Sequence, residues 1–592
     1  NMYAQWDLGK SSIRGATELT TTTPAGEKIS SGLDKDYAFA WSYGKGELLT
    51  LLVPNAYGGG SGGTLDASSA LYQELRNRGA QVGKEVQAPT YWGEKSFTSG
   101  PVYFGAVVCF LFVLGMFVVR DSMKWWLFAG GVFLTLLALG RNFDSFNDFM
   151  FHYLPMYNKF RTVEMALVIP GLVVPIVGIW GLGEIFGGKV DDALLKRGLI
   201  GALAITGGLA LILWLVPSLF LDFRSSYDAH YQLPDWYYNA LLIDREALAS
   251  ADAMRSLLFI LLGAALMFWY FSSKNREKLV PVVSIGLLVL TLVDLWTVDK
   301  RYLSDKNFGT QKAVDVYKES VADQAILKDT DLSYRVLNLN NPFAETNTSF
   351  YHHSIGGYHA AKLRRYQELI DHRLQGEINS IIGAFQNATG PEDIVRALAA
   401  CPSLNMLNTR YLIYNPEQPP IRNPFADGNA WFVGGLRMVK NADEEIAALN
   451  TLDPLAEAVV DERFAEMVEG FTPALDSTAT ITLEAYRPNR LTYKTKANTE
   501  QLAVFSEIYY APGWQATIDG QPADHFRADW ILRAMRVPAG EHTIVFEFRP
   551  QAYVTAAYVS SYSSFLILLM LVGAVGWTVW KRRQEARQGD AE

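Results

Sequence analysis

Seven apolar stretches, each close to the length of a membrane-crossing helix, divide this chain. A helix needs about 20 mostly apolar residues to cross the hydrocarbon core of a bilayer. The stretches are residues 101–119, 125–140, 163–186, 198–221, 256–273, 279–298 and 562–580. The second is short and is the weakest of the set. The sequence therefore predicts a polytopic α-helical membrane protein with seven spans.

Lys and Arg are unequally distributed over the loops between these stretches. Loops 120–124, 187–197 and 272–278 carry eight of them in 23 residues, whereas loops 141–162 and 222–254 carry five in 55. Short loops rich in Lys and Arg stay on the cytoplasmic side. The basic tail after residue 580 follows the same rule, so we expect a cytoplasmic C-terminus and large extracytoplasmic segments.

Seven crossings from a cytoplasmic C-terminus place residue 1 outside. The first residues contain no basic n-region and no apolar h-region that would export them. We therefore expect the sequence to be the C-terminal part of a longer protein. The net charge of −9 argues against a nucleic acid partner.

The long segment between the last two spans changes character along its length. Its first half mixes short strands at 334–338 and 410–414 with helical stretches, which indicates an α/β region. Its second half predicts strands near 480–486, 490–496, 502–509, 514–518, 530–537 and 541–548, separated by turn residues. Six such strands favour a β-sandwich, with Trp514 and Phe546 in its core.

These patterns give one predicted order of segments along the chain. They are an extracytoplasmic loop-rich segment at 1–100, a six-helix block at 101–298, an extracytoplasmic α/β region at 299–478, an extracytoplasmic β-sandwich at 479–561, a last transmembrane helix at 562–580 and a cytoplasmic tail at 581–592.

The aromatic loop 141–161 carries the first group of candidate site residues. Asp144, Asp148 and His152 are four residues apart, so on a helix they share one face and are weak catalytic candidates. Cations near them are candidates for binding a donor phosphate, namely Arg141, Lys159 and Arg161. The alternative is an interfacial aromatic helix with a solvated polar face.

A second group lies in the segment 351–366. Basic residues stand beside aromatic ones there and are candidates for binding an acceptor sugar, namely Tyr358, His359, Lys362 and Arg364. Three histidines in eight residues also suggest a metal, but the Gly356-Gly357 break leaves no regular ligand spacing, so we predict no metal site. An ordinary solvated helix start is the alternative.

Acidic residues near the span ends are a third possible source of chemistry. Glu164, Glu184 and Asp294 each lie within about a turn of a span end. We interpret them as side chains that reach the membrane interface, with a functional carboxylate as the alternative.

Several motifs occur in order along almost the whole chain. They are QWDLGKS at 5–11, YWG at 91–93, FTSGP at 97–101, YNKFR at 157–161, the run 354–369, LNMLNTRY at 404–411 and EIYYAPGW at 507–514. Together they resemble the YfhO family of bacterial membrane proteins.

The resemblance implies a plasma-membrane glycosyltransferase of the GT-C type. Such an enzyme moves a sugar from a polyprenyl-phosphate donor to a cell-envelope glycan or polymer outside the membrane. The family's proposed catalytic acid lies in the first outside loop, which has no counterpart in this sequence. No cofactor is identified, and a divalent metal is compatible with the chemistry.

Two other functions remain as hypotheses. The first is a non-catalytic membrane protein whose exported domain binds glycan or an envelope-assembly partner. A transporter is the weaker one, because the sequence suggests neither an interrupted helix pair nor a buried charge pair.

Overall fold

A computed structural model describes residues 2–20, 32–309 and 317–589. The chain divides into two compact units, one formed by Leu33–Thr310 and the other by Asn1–Gly32 with Gln311–Glu592. Parts of the predicted segments 1–100 and 581–592, namely 1, 21–31 and 590–592, lie outside the described residues.

The unit Leu33–Thr310 is mainly helical. Its α-helices are Lys35–Ala38, Ala70–Asn77, Ala106–Val118, Met123–Ala138, Asp144–Tyr153, Val168–Phe186, Asp192–Ala202, Gly208–Leu215, Asp235–Ser272 and Arg276–Tyr302. A π-helical turn, Leu203–Gly207, joins two of them into one continuous span. One antiparallel hairpin pairs Gly63–Asp66 with Glu85–Ala88.

The seven-span count is not confirmed. Among the described residues, five helices are long and apolar enough to cross a membrane: Val163–Phe186, Asp192–Leu215, Asp235–Ser272, Arg276–Tyr302 and Gln551–Gln584. The predicted first span contains only the 13-residue helix Ala106–Val118. Apolar helices of this length satisfy their own backbone hydrogen bonds, so they can cross a membrane.

The predicted second span is bent. Met123–Ala138 and Gly140–Tyr153 meet at an angle of 113°, so this pair is either a broken span or a re-entrant segment. Gly140 has a φ of +45°, and a Cβ there would lie 2.0 Å from Ser42 Oγ. Glycine is therefore required at the bend.

Charged residues on the two longest helices of this unit bind the loop-rich segment that precedes the spans. Asp244 accepts hydrogen bonds from the backbone N–H groups of Ala70 and Leu71. Asp252 accepts one from Asn55 and pairs with Arg301 at 2.6 Å. The segment is thus fixed by buried carboxylates that accept hydrogen bonds from its backbone.

Arg245 makes the most deeply buried ion pair of this group. It is fully buried, pairs with Asp228 at 2.8 Å and donates to the carbonyls of Pro89, Tyr91 and Phe223. The expectation that the helical block has no buried charge pair is therefore wrong. The charges of this group also bind backbone groups of this unit, which gives them a structural role.

The second unit contains most of the strands. Its helices are Met2–Ser11, Val321–Ile326, Asn347–Tyr351, Arg364–Leu369, Gln375–Asn387, Pro391–Ala399, Pro402–Met406, Ala442–Ala448, Ala465–Val468 and Gln551–Gly589. Its strands are Arg335–Asn338, Thr409–Ile413, Ile421–Arg422, Ala430–Val433, Gly435–Val439, Glu457–Asp461, Thr480–Arg487, Arg490–Ala497, Gln501–Ile508, Trp514–Ile518, Gln521–Ala523, Phe526–Ala528, Leu532–Val537 and Gly540–Phe548.

Parallel pairing occurs in the first half of this unit. Arg335–Asn338 pairs in parallel with Thr409–Ile413, and Gly435–Val439 pairs in parallel with Glu457–Asp461. Helices connect the strands of each pair, because parallel neighbours need a long crossover.

Two antiparallel sheets in the second half share one apolar cluster. The five-stranded sheet contributes Leu491, Tyr493 and Phe546, and the four-stranded sheet contributes Phe505 and Met535. All six predicted strands lie within two residues of observed ones. The four-stranded sheet also includes Ala430–Val433, a strand from outside the range predicted for the sandwich.

The two aromatic residues predicted to lie in the core differ in burial. Phe546 is fully buried, as predicted. Trp514 is only partly buried, because it lies at the edge of the cluster. Its ring packs there against Phe548 and the guanidinium of Arg533.

The N-terminal residues of this unit are held by arginines far along the chain. Glu18 pairs with Arg365 at 2.5 Å and with Arg463 at 2.8 Å. Arg364 donates to the carbonyls of Ile13, Gly15 and Gly32.

Phe546→Ala is expected to lower the free energy of unfolding of this unit by about 3–5 kcal/mol, since it leaves a cavity between the sheets. Phe425, which is partly exposed in a loop, supplies the control variant Phe425→Ala. Denaturant unfolding in detergent measures both. Equal losses in the two variants would contradict the burial of Phe546.

Glu18→Gln is expected to destabilise the protein at neutral pH but not at strongly acid pH. Burial raises the pKa of Glu18, but hydrogen bonds from Arg463 and Arg365 outweigh it and lower the pKa to about 2. A carboxylate with a depressed pKa stabilises the fold above its unfolded value of 4.5, and that contribution is lost as pH falls toward 2.

Thermal melting of the parent and the variant between pH 7 and pH 2 measures this difference. Glu466→Gln, at an exposed position in the same unit, is the control. A difference in melting temperature that stays constant over this range would contradict the linkage.

Candidate functional site

A large apolar groove lies between three helices of the unit Leu33–Thr310. Its volume is about 1030 Å³. It is lined by Val102, Tyr103, Phe104, Val108, Leu111, Glu164, Met165, Leu167, Val168, Gly171, Leu172, Pro175, Gly178, Ile179, Leu182, Ser284, Leu287, Leu288, Thr291 and Leu295. The groove therefore follows the spans rather than the loop predicted to form the site.

The groove is long, and its lining is mostly apolar. From Glu164 to Leu182 it follows roughly 27 Å of helix, at about 1.5 Å per residue. That length approaches the hydrocarbon thickness of about 30 Å. Glu164 is the charged residue of the lining and stands at the start of the span Val163–Phe186. The shape and chemistry match a single long hydrocarbon chain with its polar end at Glu164.

Lys95 fixes the carboxylate at that end. Its Nζ lies 3.0 Å from Glu164 Oε2, and its side chain is 3% exposed, whereas that of Glu164 is 21% exposed. The ammonium also lies 4.9 Å from the ring centroid of Tyr43 and 5.9 Å from that of Tyr91. A buried Lys with these contacts holds Glu164 in one position while leaving it open to the groove.

A second carboxylate lies behind this pair. Glu47 is buried, and its Oε1 accepts a hydrogen bond from the Tyr91 hydroxyl at 2.8 Å. Burial raises the pKa of Glu47, although Lys95 opposes that shift. Two carboxylates, Glu164 and Glu47, thus interact electrostatically with Lys95 near this end of the groove.

The third predicted interfacial carboxylate, Asp294, does not reach the interface. It is fully buried, pairs with Arg255 at 3.0 Å and accepts a hydrogen bond from the Tyr103 hydroxyl at 2.6 Å. It also accepts one from the N–H of Ala106, at the start of a helix. A carboxylate at a helix N-terminus is stabilised by the helix dipole, so a structural role accounts for its burial.

The three weak catalytic candidates share a helix face, as their spacing predicts. They lie on Asp144–Tyr153, the second arm of the bent pair. Lys35 bridges Asp144 at 2.9 Å and Asp148 at 2.6 Å, and His152 Nδ1 lies 2.8 Å from the Asp148 carbonyl. Their catalytic role stays a prediction, and none of them lines the groove.

The three predicted phosphate-binding cations are spread over different surroundings. Arg141 donates to the carbonyl of Glu94 at 2.6 Å. Arg161 donates to the Tyr37 hydroxyl and lies over the Tyr37 and Trp41 rings. Lys159 ends a short 3-10 turn. Arg141 and Arg161 therefore contact the segments that flank Lys95 and Glu164, but they form no joint phosphate site among the contacts described.

A smaller cavity in the second unit brings together half of the predicted acceptor-binding residues. It has a volume of about 260 Å³ and is lined by Arg335, Phe343, Ser354, Ile355, Gly356, Gly357, His359, Lys362, Leu363, Tyr366, Ile370, Leu407 and Ile508. We call it the basic pocket. His359 and Lys362 line it, whereas Tyr358 and Arg364 do not.

Arg364 and the other two histidines have structural partners. Arg364 binds backbone carbonyls of the N-terminal segment, as described above. His352 Nε2 lies 2.9 Å from Asp323 Oδ1, and His353 packs against the Tyr486 ring. No group of three or more metal-ligating side chains occurs among the described residues.

Residues 466–560 match the family model named Bacterial membrane protein YfhO. This match confirms the predicted resemblance to the YfhO family over these residues. It covers the two antiparallel sheets, apart from Ala430–Val433, and the start of the last helix. The match to a family of bacterial membrane proteins and the apolar helices together support a membrane location. No curated protein and no solved structure matches the chain.

Sequence reasoning missed the groove, Glu47 and Lys95. The motifs YWG at 91–93 and FTSGP at 97–101 flank Lys95, and this was the available signal. A lysine between two such motifs is a candidate for a fixed position in the fold.

Glu164→Gln is expected to lower the free energy of unfolding by up to about 3 kcal/mol, because it leaves the Lys95 ammonium buried without its carboxylate. Adding Lys95→Met to this variant should recover much of the loss. Glu184→Gln is the matched control at the other end of the same span, where the exposed pair with Lys189 contributes under about 1 kcal/mol. Unfolding in mixed micelles is measured for the parent, these three variants and Lys95→Met alone, and additive losses at Lys95 and Glu164 would contradict the pairing.

Proposed function

We propose that the protein is an extracytoplasmic glycosyltransferase of the bacterial plasma membrane. It takes a sugar from a polyprenyl-phosphate donor and transfers it to a cell-envelope glycan or polymer. The observation that carries this proposal is the groove, which ends at a carboxylate held by a buried lysine.

The groove suits the donor because of its length and its position on the spans. A polyprenyl chain is already dissolved in hydrocarbon, so entering an apolar groove brings little hydrophobic gain. The groove instead fixes the position of the donor, since holding the chain along roughly 27 Å of helix keeps its phosphate at one depth in the membrane. Ordering the reacting group in this way lowers the entropic part of the barrier.

The chemistry then needs one base and a stabilised leaving group. A hydroxyl of the acceptor attacks the anomeric carbon, the bond from that carbon to the phosphate oxygen breaks, and the phosphate leaves with the bonding pair. The hydroxyl proton passes to a carboxylate. Glu164 is the carboxylate at the head-group end of the groove, and Lys95 is its positioning residue.

Cations beside the leaving phosphate stabilise the charge that develops on it. Arg141 donates to the carbonyl of Glu94, next to Lys95. Arg161 lies over the ring of Trp41, whose carbonyl accepts a hydrogen bond from the N–H of Glu164. The family resemblance implies a further catalytic acid in an outside loop, and no residue of this sequence is assigned that role.

Gly171→Leu should block the groove, because the new side chain would enter it close to the Phe104 ring. Gly183→Leu is the matched control on the same helix, since a Cβ at that position meets no atom within 4 Å. We expect transfer from a polyprenyl-phosphate sugar in proteoliposomes to fall at least tenfold in the first variant and to stay unchanged in the second.

A photoreactive polyprenyl phosphate separates the enzyme from its main alternative. Labelling of helix Val168–Phe186 with transfer supports the proposal. Labelling without transfer favours a non-catalytic lipid- and glycan-binding protein. Full transfer by Gly171→Leu would contradict the role of the groove.

A further inference from the structure

The basic pocket carries a positive charge that its own walls do not neutralise. Arg335, His359 and Lys362 line it, and its lining contains no Asp or Glu. Glu507 lies 3.6 Å from Arg335, outside the lining, so that one guanidinium is partly neutralised. A concave site with excess positive charge attracts an anionic group.

Lys362 is the cation best placed to meet such a group. Its Nζ donates to the amide oxygen of Gln367 at 3.5 Å and lies 5.5 Å from the centroid of the Phe343 ring. Both partners are neutral. Burial lowers the pKa of Lys362, and the nearby carboxylate of Asp371, which is not part of the pocket lining, opposes that shift.

The other walls of the basic pocket are rigid and partly apolar. Tyr366 donates its hydroxyl hydrogen to the carbonyl of Ile355, which fixes its ring. Gly357 has a φ of +91°, and its N–H donates to the carbonyl of Pro342 at 2.8 Å. A positive φ and the close Ser349 side chain make glycine the residue that fits this wall, and Phe343 and Tyr366 supply the aromatic part of the lining.

Size limits what can occupy the basic pocket. At about 260 Å³ it is smaller than typical sites for drug-sized ligands, which are about 300–1,000 Å³. One sugar ring fits such a volume better than a long chain. Apolar walls with a few convergent polar groups are the usual composition of a site for a small ring compound.

We infer that the basic pocket binds one acidic sugar unit, whose carboxylate or phosphate meets Lys362 and whose ring packs between Phe343 and Tyr366. The role of the basic pocket as the acceptor subsite of a glycosyltransferase rests on the proposed function. The binding of an acidic sugar in the pocket does not depend on that function.

Binding is measured by saturation-transfer NMR on the purified full chain in detergent. The probes are glucuronate and glucose 6-phosphate, with glucose and inorganic phosphate as comparisons. Inorganic phosphate has no non-exchangeable protons, so its binding is measured by competition with the acidic sugar. We expect saturable binding of at least one acidic sugar, at least tenfold tighter than that of either comparison. Tighter binding of glucuronate identifies a carboxylate ligand, and tighter binding of glucose 6-phosphate identifies a phosphate ligand.

Three variants locate the site. Lys362→Gln should weaken the binding of the acidic sugar at least tenfold, and Lys362→Arg should retain most of it. Lys440→Gln, at an exposed position of the same unit, should leave it unchanged. Matching melting temperatures show that the variants are folded.

The inference is overturned if glucose or inorganic phosphate binds as tightly as both acidic sugars, or if Lys362→Gln binds like the parent. The groove variant Gly171→Leu separates the two proposals, since it should lose transfer and keep the acidic sugar. Binding of the acidic sugar by a chain with no transfer activity supports the pocket and contradicts the enzyme.

Discussion

The structure of the helical unit depends on buried charges that take backbone groups as partners. In a low-dielectric interior, an unpaired carboxylate or guanidinium is far more costly than any single apolar contact is favourable. Asp244, Arg245 and Asp252 stand on one long helix and satisfy this requirement through the backbone of the segment before the spans. That segment carries Lys95, so the position of the groove's polar end follows from where these charges find partners.

Much of the fold could be predicted because hydropathy and alternation are local properties. The helices Val163–Phe186 and Arg276–Tyr302 contain their predicted spans, and the six predicted strands are all present. The span count is not confirmed where local hydropathy does not determine geometry. A bend at Gly140 depends on the close approach of Ser42, and that contact joins residues about 100 positions apart.

The candidate site was less predictable, because it is a property of tertiary contacts. Spacing alone placed Asp144, Asp148 and His152 on one face, but it could not show that Lys35 occupies the two carboxylates. Lys95 was overlooked because lysine is almost never fully buried unless paired, and its partner Glu164 is 69 positions away. Basic and aromatic residues around 351–366 did indicate the basic pocket, although Arg364 turned out to bind backbone.

The two proposed sites would select their ligands by different physics, since one ligand comes from lipid and the other from water. A hydrocarbon chain gains little by moving from lipid into the groove, so discrimination between lipids has to come from the head group that meets Glu164. An acidic sugar comes from water, where attraction between exposed charges is screened over about 8–10 Å at physiological salt. The basic pocket avoids part of that screening by holding Lys362 among neutral, partly apolar walls. The charge of the acceptor would thus contribute to affinity, whereas the tail of the donor would contribute to position.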